Sequence, residues 1–280
     1  MNSIPEKFPV WQTAMDALDY CWHHRRLAMR FGGIPLLIGI IASFALLAYD
    51  VSMTEPSAEL FAISFVQLLI FLAPTVTWYR IVAYGEQEAA TRPILTLGRL
   101  EIRLLLWQIL FLLGLIVPFA AAGALIGGIT VLVRNTAGET AAIIVAAPLV
   151  AACAVAFVVV ATRLTMILAL ASLDEPTGFR AAWNMTRGVA WRLTGALILV
   201  ILAIILFFAL AELAAWLIGM ILAIAAGAAS GEILPYVRAI AQAVINLLAL
   251  FAVATLFGFV YRMRAAPAPA VEPPVSVPVL

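Results

Sequence analysis

The sequence predicts an all-α fold, a polytopic membrane bundle of about six transmembrane helices with amphipathic segments on the cytoplasmic side. Three observations carry that reading. Of 280 residues, 65% are hydrophobic and 11% charged, against roughly 45–50% and about 25% in a soluble domain. Six apolar runs each reach the length of about 20 residues that a helix needs to cross a bilayer core. The basic residues gather on alternate loops. A water-soluble fold could not cover so much apolar surface, so lipid is the solvent for much of it.

The runs fall at Phe31–Tyr49, Leu60–Tyr84, Leu104–Val133, Ala141–Ala171, Leu193–Ala229 and Ile233–Tyr261. None alternates apolar and polar over about ten residues, as barrel strands do. The chain divides into a cytoplasmic amphipathic segment (1–30), a six-helix membrane domain (31–264) and a Pro-rich tail (265–280) expected to be extended. The first run follows a charged lead and is long enough to span, so it reads as a signal anchor that is not cleaved. The third and fifth runs exceed one crossing. Gly123 and Gly127 in the third form a GxxxG, a spacing that permits close helix contact and that arises easily in an Ala/Gly-rich sequence.

Orientation follows from charge. Lys7, Arg25, Arg26, Arg30, Arg80, Arg92, Arg99, Arg103, Arg163, Arg180, Arg187, Arg192, Arg262 and Arg264 fall on one side, and only Arg134 and Arg238 on the other. That asymmetry in short loops predicts that both termini are cytoplasmic; the membrane expected is a bacterial inner membrane. The net charge of +1 gives no indication of nucleic acid, and no nucleic-acid partner is expected.

A weak threefold repeat is visible: a surface segment (Val10–Arg30, Arg92–Arg103, Phe179–Arg192), an outward span, and a return span ending in Arg80, Arg163 or Arg262. In the first copy Trp11, Met15, Leu18, Trp22 and Met29 lie within about 40° of one line on a helical wheel. Asp16, Asp19, His23, Arg26 and Arg30 cluster to one side of it. The third copy sets Phe179, Trp183, Thr186 and Ala190 at matching offsets.

The stretch Phe179-Arg-Ala-Ala-Trp-Asn-Met-Thr-Arg-Gly-Val-Ala-Trp-Arg-Leu193, with Trp78-Tyr79-Arg80, Gly85-Glu86 and Leu97-Gly98-Arg99-Leu100-Glu101, resembles a group of uncharacterised six-span membrane proteins of alphaproteobacteria. These in turn are loosely similar to the membrane domain attached to some glycerophosphoryl diester phosphodiesterases. The resemblance covers roughly residues 60–195. It implies six helices with cytoplasmic amphipathic segments and carries over no catalysis, because the soluble phosphodiester-cleaving domain has no counterpart here.

The chemistry the residues offer is sparse. GxSxG, HExxH, Walker A and dinucleotide fingerprints are all missing, so neither catalytic residues nor a cofactor is expected. Cys21 sits beside His23 and His24, but those histidines point about 100° apart on a helix and a metal site needs three or four convergent ligands; no metal is expected. Cys21 and Cys153 occupy different surroundings, which argues against a disulfide.

Glu212 is the one acid embedded in an apolar run. It reads either as a proton or cation site inside the bundle or as an acid near the outer interface beside Trp216. Arg80, Arg163, Arg187, Arg192 and Arg262 are candidates for contact with anionic phospholipid headgroups. Trp11, Trp22, Trp78, Tyr79, Trp183, Trp191 and Tyr261 are the candidate interfacial aromatics. The function that follows is a non-enzymatic scaffold or lipid- or envelope-associated factor whose partners are membrane lipids or another membrane protein. The alternative is a transporter or permease with Glu212 in a polar pathway, to which the interrupting residues Pro35, Pro74, Pro118, Pro148 and Pro235 also point.

Overall fold

A computed structural model describes residues 9–48, 58–88, 93, 97–226 and 230–265. Among the described residues the chain is helical throughout, in eight elements: α1 (Val10–His23), α2 (Arg25–Ala48), α3 (Ala58–Tyr84), α4 (Arg99–Ala137), α5 (Glu139–Ser172), α6 (Phe179–Met185), α7 (Ala190–Ala226) and α8 (Ser230–Ala265). Six of them, α2 to α5, α7 and α8, are long and apolar enough to cross a membrane. The protein is a multi-pass membrane protein. Residues 266–280 of the Pro-rich tail, Lys7 and Arg92 lie outside the described residues.

The spans form three hairpins. α2 and α3 have 24 and 27 residues, whereas α4, α5, α7 and α8 have 39, 34, 37 and 36. At 1.5 Å per residue the longer helices measure roughly 50–58 Å, well past a hydrocarbon core of about 30 Å. The fifth apolar run continues as one helix to Ala226. Gly138, at φ +89°, is the single residue between α4 and α5, a conformation that favours glycine.

α8 is the hub and touches α1, α2, α3, α5 and α7. Its centre packs on α3: Trp78 is fully buried, stacks on Phe251 with ring centroids 4.4 Å apart, and donates its indole N–H to Phe251 O and Thr255 Oγ1. Gly258 lets Val82 approach, since a Cβ built there would lie 2.6 Å from Val82 Cγ1. α4 lies mainly against α5, and that hairpin joins the rest through one end, where Leu104, Leu164, Met166 and Ile167 are buried.

Two surface elements precede spans. α1 is broken from α2 only at His24 (φ −93°, ψ 21°), so the segment read as amphipathic holds α1 and the first turns of α2. α6 is one short helix before α7. For the middle copy of the repeat, Arg99–Arg103 are simply the first turn of α4, and Glu101 accepts the Gly98 N–H at 3.0 Å.

Candidate functional site

The up-and-down topology brings the start of α2, the end of α3, the start of α4, the end of α5, α6 and the end of α8 to one arginine-rich end. Specific contacts tie them there. His24 Nε2 lies 2.9 Å from Glu86, beyond the end of α3. Arg264 at the end of α8 donates to the Arg187 carbonyl at 2.7 Å. The loop between α5 and α6 holds the largest network. Arg103 of α4 donates to Asp174 Oδ1, the Glu175 carbonyl and Thr177 Oγ1, while Tyr261 of α8 donates to Glu175 Oε1 at 2.6 Å. Tyr84 of α3 donates to Leu173 O at 3.3 Å. One loop therefore fastens all three hairpins. Asp174 adopts φ +62°, a left-handed conformation that Asp tolerates better than most residues.

Sequence reasoning missed this loop. Asp174 and Glu175 are two acids at an end otherwise crowded with arginine, which was the available signal. Their partner Arg103 was counted only as an orientation charge.

The candidate arginines fare differently. Arg80 is held by Glu88 at 2.8 Å and lies over the Tyr84 ring, so its charge is already engaged inside the protein. Arg163 is the opposite case. Its guanidinium stacks on Trp183 of α6, 3.9 Å from the ring centroid, and its buried Nε has no hydrogen-bond partner among the described residues. Arg187 follows Trp183 by four positions, just past the end of α6, with an exposed side chain. Arg192 lies exposed in the first turn of α7 and has an interaction of its own. Arg262 is exposed and, with Thr13, Asp16, Phe259 and Met263, lines a niche of about 380 Å³ between α1 and α8.

The aromatics separate into two groups. Trp11, Trp22, Trp183 and Trp191 are exposed, at 66%, 64%, 45% and 67%. Trp78, Tyr79 and Tyr261, read from the sequence as interfacial aromatics, are buried in the protein: Trp78 bonds within the bundle and Tyr261 bonds to Glu175. Burial wins for Trp78 because Phe251 and Thr255 supply both a ring to stack on and an acceptor for its N–H.

α1 divides into three faces. Thr13, Ala14, Ala17 and Cys21 face the protein, Trp11, Met15, Trp22 and Met29 form the exposed apolar stripe that continues into α2, and Asp16, Asp19 and His23 lie beside it. Such a helix suits an interface, with small residues against the bundle and large ones outward. Cys21 contacts Thr255 Oγ1 at 3.2 Å. Burial pushes its thiol up to about 11, the Thr255 hydroxyl pulling the other way, so it stays protonated and inert near neutral pH. His23 turns to Asp19 and His24 to Tyr20 and Glu86. Among the described residues no three His, Cys, Asp or Glu side chains converge on one point.

At the opposite side of the bundle, Glu212 of α7 pairs with Arg238 of α8, Oε2 to Nε 3.0 Å, with the Glu side chain 28% and the Arg side chain 51% exposed. The acid has a cation within its own hairpin. Comparison of the chain with family models, curated proteins and solved structures finds no match.

Proposed function

We propose that this is a non-enzymatic protein of the bacterial inner membrane that engages anionic phospholipid headgroups at its arginine-rich end, with that end and both termini in the cytoplasm. The observation that carries the reading is Arg163. A guanidinium is costly at membrane depth without a partner, yet among the described residues Arg163 has a tryptophan face beneath it and no carboxylate paired with it. A phosphate is a natural partner, because a guanidinium fork binds it through two parallel hydrogen bonds. The exposed tryptophans and the amphipathic face of α1 support the same depth. The one-sided arginine distribution supports the orientation. The transporter alternative draws less support from Glu212 once Arg238 neutralises it.

The test is a variant carrying Arg163→Lys and Arg187→Lys. It keeps every charge, so an impermeant thiol reagent should label Thr136→Cys from outside the cell, as in the parent, and leave Ser3→Cys unlabelled. Retention of phosphatidylglycerol by the purified protein, read by native mass spectrometry, should fall about tenfold for the loss of one charged hydrogen bond. Undiminished retention would leave these arginines only an orienting role, and labelling at Ser3→Cys would reverse the topology.

A further inference from the structure

A second feature lies on different helices and does not depend on Arg163. Between α1–α2 on one side and α7–α8 on the other runs a cleft of about 480 Å³. Its walls include Met29, Leu36, Ile204, Phe207, Leu247 and Phe251, and the charged residue on its lining is Arg25. Phe207, Trp22 and Met29 line it and are also exposed, so the cleft opens outward between the helices.

Its direction follows from two cross-contacts. Cys21 meets Thr255, and Gly32 lies against Leu247, so α1–α2 descends from the arginine-rich end as it passes along α8. Arg25 therefore marks the mouth and Leu36 the deep end. Eleven residues of helix separate them, about 16 Å, which is the depth of one leaflet of a hydrocarbon core roughly 30 Å thick.

We infer that this cleft holds one acyl chain of an anionic phospholipid, with the lipid phosphate on Arg25. Apolar walls offer water almost no hydrogen-bond partners, and unfilled walls forfeit their dispersion contacts. A hydrocarbon tail one leaflet long matches both the lining and the length. The mouth fits a phosphate. Arg25 lies over the Trp22 ring at 5.2 Å and gives Nη1 to the Trp22 carbonyl at 3.2 Å, and among the described residues it pairs with no carboxylate. Its side chain is exposed, with Arg26 and Arg30 close in sequence to add positive potential. Trp22 sits where an indole borders headgroup and tail. The occupant differs from the lipid that coats any span in having both a walled tail site and a fixed head contact.

Photo-crosslinking tests this. The full chain in detergent is loaded with phosphatidylglycerol carrying a diazirine in its acyl chain, irradiated and digested. Adducts should concentrate on peptides containing Phe207 and Leu247–Phe251. Ala203→Trp, which fills the cleft, should reduce them to background while the melting transition is kept. If that variant does not fold, Val244→Phe fills the same space from α8. Arg25→Gln should lower adduct yield about tenfold, as expected for losing a charged hydrogen bond, and the Arg163→Lys, Arg187→Lys variant should leave it unchanged. The inference is overturned by adducts spread evenly over α4 and α5, by yields that the filling variants do not alter, or by a diazirine fatty acid that labels as well as the phospholipid and ignores Arg25→Gln. Loss of cleft adducts in the double-Lys variant would merge the two sites into one and overturn it as well.

Discussion

α3 and α5 both cross the membrane by length and composition, yet their surroundings are opposite. Of their most apolar stretches, 56% is buried in α3 and 0% in α5. The buried helix is the more polar of the two: Thr75, Thr77, Trp78 and Tyr79 are all inside, while Ile143, Ile144, Val150 and Val155 of α5 are exposed. In water that arrangement would be inverted. In lipid, apolar side chains gain little by leaving the solvent, so helices are joined by shape and by hydrogen bonds. The first and third hairpins have such devices in the Trp78–Phe251–Thr255 cluster and the Val82–Gly258 approach. The α4–α5 hairpin has few, and it is fastened mainly at one end by Arg103 and the 173–178 loop.

The largest effect that comparison predicts is at Trp78. Trp78→Ala removes a buried ring together with its indole N–H bonds to Thr255 Oγ1 and Phe251 O, and should cost about 3–5 kcal/mol. Trp191→Ala, at an exposed site, should stay within about 0.5 kcal/mol. SDS-driven unfolding in mixed micelles measures both. Equal losses would mean that the α3–α8 contact is not the core and that the distinction between packed body and free hairpin is wrong.

This contrast also separates what the sequence made legible from what it did not. The six spans were legible because each apolar run of about 20 residues or longer satisfies the bilayer by itself, and the helix ends lie within a few residues of the ends of the runs. The outward stripe of α1 was legible too, since polar and apolar residues there differ sharply around the helix. The faces of α3 were not. Its composition is apolar all round, so no period distinguishes Trp78 pointing inward from Trp78 in a belt, and the neighbouring Tyr79-Arg80 favoured the belt. The pairs Arg103–Asp174 and Glu212–Arg238 span 71 and 26 positions, and only the fold brings such partners together.

A smaller effect is expected at Glu212–Arg238, which ties α7 to α8 at the far side of the packed body. Both groups are partly exposed, so Glu212→Gln and Arg238→Gln should each cost about 0–1 kcal/mol. The double variant should be no worse than either single one, because each change breaks the same pair. Additive losses would show that the two residues act separately. A proton-coupled flux in the parent that Glu212→Gln abolishes would put the transporter reading ahead of the lipid one.

The smallest effect is the one that most sharply tests the free hairpin. Gly123 and Gly127 form the GxxxG of α4, a spacing that in many membrane proteins lets helices approach. Here a Cβ built at either glycine meets nothing within 4 Å, whereas at Gly258 it strikes Val82. Gly258→Val should therefore cost about 1–3 kcal/mol by overpacking. Gly123→Val with Gly127→Val should leave unfolding unchanged within about 0.5 kcal/mol, and the hydrodynamic size in detergent should not change. If the double glycine variant instead loses stability or shifts to a smaller particle, the face of α4 is covered by another protein surface in the membrane. The contrast between a packed body and a lipid-bathed hairpin would then hold only for the isolated chain.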